Sequence, residues 1–217
     1  MLLSIPNWAE LLSAVICTIS VIHRPSPINR WFVLFLWITV VIELLGKLTT
    51  SMPAVKIPMY NFFNGAEFVF YMLFFKQTAE KKISKQILWL GINSFLSFFL
   101  INLLFFQGLY VYNNHTHTIG SILIIITCVV LFYDISSSET EHYYSFKWSF
   151  LYIISGILIF YSGNIFNTSL LNYVAKQDVE KAIKFYKLIN HSLNIFLYSS
   201  FTVSFVLQII RNEREKN

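Results

Sequence analysis

Long apolar runs alternate with short polar breaks along almost the whole chain. The runs cover about 8–23, 31–48, 57–76, 86–106, 118–135, 147–171 and 184–210, each near the length of about 20 residues that crosses a bilayer core. The breaks are sharp. Arg24-Pro25-Ser26-Pro27 closes the first run, and Met52-Pro53 with Pro58 parts the second from the third. Glu80-Lys81-Lys82, Asn113-Asn114-His115, Ser136-Ser137-Ser138-Glu139 and a charged stretch from Lys176 to Lys187 mark the others. Within each run the apolar residues are continuous rather than alternating, and backbone groups in lipid must be satisfied inside the element, so helices are predicted rather than barrel strands. The pattern predicts an all-α integral membrane protein, a single seven-transmembrane-helix bundle over 1–217, with no repeat or interdomain linker.

Composition agrees with that pattern. Of 217 residues, 56% are apolar and 12% charged, and Phe alone occurs 22 times; a soluble domain carries about 25% charge. A soluble surface is therefore excluded. The net charge of +5 does not point to nucleic acid, because the basic residues stand at run ends rather than on one surface. Cys17 and Cys128 lie inside apolar runs, where a thiol is a small packing residue, and two such residues make neither a disulfide framework nor a zinc site. The N-terminus lacks the basic start and cleavage site of a signal peptide, so the first run is expected to be a retained span.

The Lys and Arg distribution predicts orientation. With the N-terminus outside, ten of the 16 Lys and Arg residues fall inside: Arg24, Arg30, Lys76, Lys81, Lys82, Lys85, Lys147, Arg211, Arg214 and Lys216. The outer set is Lys47, Lys56, Lys176, Lys181, Lys184 and Lys187. An N-out, C-in arrangement follows.

Polar residues inside the runs are the candidate chemistry, since a charge at the bilayer centre costs about 2.5–3.5 kcal/mol on insertion scales. Glu43 and Lys47 are four apart, neighbours on one helix face in the order that favours pairing. Tyr60, Asn64, Glu67 and Tyr71 are spaced 4, 3, 4 and form one polar stripe on a Phe-rich helix. Lys187, His191, Asn194 and Tyr198 repeat that spacing in the last run, and Asn164 and Asn167 lie toward the outer end of the sixth. Gly156 and Gly163 predict close helix packing there. In the N-out arrangement Glu43, Asn64, Glu67, Asn164, Asn167, His191 and Asn194 sit at similar depth, about 5–15 Å below the outer boundary. With Lys47, Tyr60 and Tyr198 they are the expected lining of a ligand pocket, with Glu67 and His191 close enough to share a hydrogen bond; a purely structural network would use the same groups. His115 and His117 in one loop, with His23 and His142 at the opposite face, give no three-His zinc site, and no metal or cofactor is expected.

Comparison with known seven-span families starts from missing residues. The last run has no mid-membrane Lys for a retinal Schiff base, and the Asp-Arg-Tyr and Asn-Pro motifs of eukaryotic seven-helix receptors are absent. The His pattern of ceramidase-like hydrolases is absent as well. The segments YNFFNGAEFVFY, SGILIFYSGNIFN and NHSLNIFLY resemble those of stand-alone seven-span membrane proteins of Bacteroidota type, over nearly the whole chain. That resemblance implies the fold and a bacterial cytoplasmic (inner) membrane, and it brings no activity or functional residues. In size and span count the chain is also similar to the small membrane proteins that accompany RNA-targeting CRISPR nucleases.

Three functional classes remain. The leading expectation is a receptor- or sensor-like protein that binds a small molecule or lipid from outside and signals through a separate partner protein. The second is a membrane enzyme acting on lipid, with Glu43 or Glu67 and His191 as acid and base; no nucleophile–base–orienter set is recognisable, and no catalytic residue is assigned. The third is a pore-forming or accessory effector of a bacterial defence system, for which an oligomer would supply the channel.

Overall fold

The computed structural model describes residues 4–23, 26–137, 144–176 and 178–214. The expected breaks at Arg24-Pro25 and Ser138-Glu139, with His142 and Lys216, lie outside the described residues. The described residues form seven helices: α1 (Ile5–His23), α2 (Pro27–Leu48), α3 (Pro53–Thr78), α4 (Lys82–Ile101), α5 (Asn114–Ser136), α6 (Tyr144–Val174) and α7 (Val179–Arg214). A π-helical turn, Asn102–Phe106, extends α4. No strand occurs among the described residues.

Every helix begins three to five residues before the corresponding apolar run. The cause is local. Pro53 opens α3 at its first turn, where the missing N–H would have had no partner anyway. Asn113 caps α5 by accepting a hydrogen bond from the Thr116 backbone N–H at 3.3 Å. Polar first turns of this kind do not register as hydrophobic sequence.

Six of the helices are long and apolar enough to cross a membrane: Ile5–His23, Ile28–Leu48, Lys82–Phe106, Asn114–Ser136, Ser149–Leu171 and Val179–Ile210. α3 is not among them, because Lys56, Asn61, Asn64, Glu67, Lys76 and Gln77 dilute its hydropathy. The polarity of α1 is inverted relative to a helix in water. Ile5, Trp8, Leu12, Val15, Ile19 and Ile22 are exposed, whereas Glu10, Ser13, Ala14, Cys17 and Ser20 are buried. The chain is a helical protein of integral-membrane type.

The helices pack as two compact units, one formed by 1–33 with 141–217 and the other by 34–140. In the first, α7 packs along both α6 and α1. Two α6 glycines permit the close approach: a Cβ at Gly156 would stand 2.7 Å from the Ser200 Cβ, and one at Gly163 would stand 2.5 Å from Leu193. The first turns of α2 join this unit. Phe32 lies edge-on to Phe201 at 5.1 Å and beside Phe205 at 5.4 Å, and the Asn29 amide donates to Gln208 Oε1 at 2.8 Å.

In the second unit α3, α4 and α5 pack on one another around aromatic rings. Phe68 meets Phe95 at 5.2 Å and rests on Gly120, where a Cβ would come within 2.7 Å of its ring. The remainder of α2 packs on α3 through Phe35, stacked on Phe70 at 4.0 Å and edge-on to Tyr71 at 5.3 Å.

Hydrogen bonds at both ends of this unit fix its direction. Near the start of α3, Asn61 bonds to the segment that joins α4 to α5. Just past the end of α3, Asp134 near the end of α5 accepts from the Glu80 and Lys81 backbone N–H groups at 2.7 and 3.1 Å and from the Ser84 hydroxyl at 2.7 Å. The three helices therefore alternate in direction. Asp134 also supplies the cap that α4 lacks from its own sequence, since Lys81 in the cap position offers no side-chain oxygen.

Candidate functional site

The candidate residues divide between the units. Glu43, Lys47, Tyr60, Asn64 and Glu67 belong to the unit formed by 34–140; Asn164, Asn167, His191, Asn194 and Tyr198 belong to the other.

In the 34–140 unit a charged cluster forms where α2 ends and α3 begins. The Tyr60 hydroxyl donates to Glu43 Oε2 at 3.4 Å. Lys47 and Lys56 both lie near enough for their charges to act on that carboxylate, and the Lys56 ammonium sits 5.9 Å from the centre of the Tyr60 ring. Gly46 makes the arrangement possible, because any Cβ there would collide with the Tyr60 hydroxyl and ring. One carboxylate, two ammonium groups and a phenol are thus gathered within two helix ends, all half-buried. Chemically the cluster offers charges of both signs beside a phenol hydroxyl. Asn64 and Glu67 are half-buried further along α3, and Tyr71 is fully buried against Phe35.

In the other unit Asn167 is 1% exposed and its amide donates to the Tyr186 carbonyl at 3.2 Å, tying α6 to α7. Asn164 is buried, and its carbonyl accepts from the Thr168 hydroxyl at 2.9 Å. The expected α7 stripe is graded along its length. Lys187 and His191 are exposed, Asn194 is half-buried and donates to the Asn190 carbonyl at 2.8 Å, and Tyr198 is buried. Among the described residues no three His, Cys, Asp or Glu side chains gather as a metal-holding group.

Three polar features escaped the sequence reading. The first is the knot around Asn61 and Asn102. Asn61 Nδ2 donates to the carbonyls of Leu109 (3.0 Å) and Val111 (2.8 Å), and its Oδ1 accepts from the Asn113 N–H at 3.0 Å. The Asn102 amide donates to Gln107 Oε1 at 2.9 Å, to Thr116 Oγ1 at 3.1 Å and to Asn113 Oδ1. The second is the Asp134 cap of α4. The third is the buried face of α1, with Glu10 3% exposed and the hydroxyls of Ser13 and Ser20 buried without a hydrogen-bond partner. The recurrence of polar or small residues at 10, 13, 17 and 20 was a signal for that face; the other two depend on contacts distant in sequence.

No protein-family model, curated protein or solved structure matches the chain. The functional reading therefore rests on its own residues.

Proposed function

We propose that the chain is a receptor- or sensor-like membrane protein with seven spans, N-terminus outside and C-terminus inside, in a bacterial cytoplasmic membrane. On this reading it recognises a small charged ligand at the outer end of α2 and α3 and passes its state to a separate partner protein. The observation that carries the proposal is the Glu43–Tyr60 hydrogen bond with the Lys47 and Lys56 charges around it. Charges of both signs held at span ends are within reach of solutes, whereas a packing network needs only neutral groups.

Several features support the seventh span. α3 has 26 residues, about 39 Å at 1.5 Å per residue. It alternates in direction with α4 and α5, both of which have bilayer length and hydropathy. Of its polar side chains, Tyr60 and Asn61 bond to protein groups near its start, and Lys76 lies over the Trp89 ring near its end.

The test is a thermal-shift screen of the protein in lipid nanodiscs against amino acids, polyamines and dicarboxylates. A compound that stabilises the parent and Glu67→Gln but not Glu43→Gln supports the site. Stabilisation that is independent of Glu43, or no stabilisation by any of the three classes, contradicts it.

A further inference from the structure

The segment joining α4 to α5 differs from the α2–α3, α3–α4 and α6–α7 connections. Lys47 and Lys56 flank the α2–α3 turn, Glu80 and Lys81 form the α3–α4 turn, and Lys176 and Asp178 stand in the α6–α7 turn. Between Lys85 and Asp134, by contrast, no Asp, Glu, Lys or Arg occurs at all. The connection inside this uncharged stretch is also strongly apolar on its outside. Phe105 is 77% exposed, Phe106 75% and Tyr110 66%, with Leu104, Val111 and Tyr112 exposed beside them.

We infer that this connection does not enter water but lies in the headgroup–acyl boundary of the outer leaflet, with these six side chains against lipid. The inference rests on the proposed reading of α4 and α5 as spans. Exposed rings at the end of a spanning helix match the interfacial preference of aromatic residues, and they continue the exposed apolar side of α4 formed by Leu96, Leu100 and Ile101.

The hydrogen bonding supplies an independent reason. Irregular backbone is tolerated at membrane depth only where the protein answers its polar groups, and here several of those groups are answered from within the protein. The Leu109 and Val111 carbonyls accept from Asn61, and the Asn113 N–H donates back to the same side chain. The Gln107 N–H donates to the Asn102 carbonyl, the Asn114 N–H to the Tyr112 carbonyl, and the His115 N–H to Gln107 Oε1. A loop in water would have solvent for these groups. Here a buried Asn on a neighbouring helix is committed to them, and Gly108, at φ +72°, makes the turn without a side chain.

The occupant is tested by spin labels at Phe105→Cys and Tyr110→Cys in phosphatidylcholine–phosphatidylglycerol vesicles. Leu96→Cys marks the α4 lipid face and Lys176→Cys marks water. Both native cysteines are fully buried, so the parent protein serves as the labelling blank. The expected result is relaxation by oxygen but not by a water-soluble nickel chelate at 105 and 110, as at Leu96 and unlike Lys176. Nickel relaxation at 105 and 110 equal to that at Lys176, with Leu96 protected, overturns the inference and leaves the spans intact. Exclusion of both reagents with an immobilised spectrum overturns it in favour of a covering protein, such as a second copy of the chain. Nickel access at Leu96 as well overturns the span reading together with it.

Discussion

The Tyr60 hydroxyl occupies the space that any side chain at Gly46 would need, and from there it reaches Glu43. A glycine near the end of α2 is thus what allows a phenol of α3 to meet the α2 carboxylate. Gly46→Ala is expected to displace Tyr60 and break that bond, lowering stability by about 1–3 kcal/mol as an overpacked site does. Gly91→Ala is the control, since a Cβ there meets only Met72 Sδ at an ordinary 3.7 Å. Thermal unfolding in detergent should separate the two, and equal midpoints would refute the Gly46–Tyr60 contact.

The carboxylates of the second unit should respond differently to neutralisation. Glu43→Gln removes the counter-charge of Lys47 and Lys56 and weakens the bond from Tyr60. For a half-buried group near a span end that loss is about 1 kcal/mol. Glu67→Gln is expected to unfold closer to the parent midpoint. Matching losses for both variants would count against the grouping of charges around Glu43.

Asp134 holds the start of α4 from a distant part of the chain. Asp134→Ala leaves two backbone N–H groups and the Ser84 hydroxyl without their acceptor, a loss of about 1–3 kcal/mol for each donor that stays buried. Asp134→Asn retains one acceptor oxygen and should fall between the alanine variant and the parent. The order parent, Asn, Ala in unfolding midpoint is the expected outcome, and an Asn variant as unstable as Ala would show that charge rather than hydrogen bonding carries the cap.

Asn61 is expected to govern the order of the α4–α5 connection. Asn61→Ala frees the Leu109 and Val111 carbonyls and the Asn113 N–H, so amide exchange over 107–113 should accelerate while α7 exchange stays unchanged. Unaltered exchange in the connection would mean that the knot is held by Asn102 alone.

The sequence shows unevenly what the structure contains. Bilayer-length apolar runs are visible in any hydropathy reading, because lipid imposes one requirement on every residue of a span. Helix starts are displaced, since Pro53 and Asn113 initiate helices through backbone geometry and capping rather than hydrophobicity. Glu43 and Tyr60 are both legible as polar residues inside runs. Their hydrogen bond is not legible, because it depends on the α2–α3 turn and on the bare Cα of Gly46. Asn61 stands off the 60/64/67/71 stripe, and its partners lie about 50 positions further along the chain. Asp134 likewise meets residues 50 to 54 positions away. Periodicity reports which residues share a helix face; it carries no information on what a neighbouring helix brings to that face.

The proposed recognition of a ligand from outside at Glu43 and Tyr60 requires a definite sidedness. Ser51, in the α2–α3 turn, and Ser137, after α5, are both exposed and provide the probes. With Ser51→Cys and Ser137→Cys made singly, intact bacterial cells are treated with a membrane-impermeant maleimide. Labelling at position 51 in intact cells, and at 137 only after permeabilisation, is the expected result. Labelling of 137 in intact cells with 51 protected would invert the protein, place the charged cluster inside, and contradict recognition of a ligand from outside.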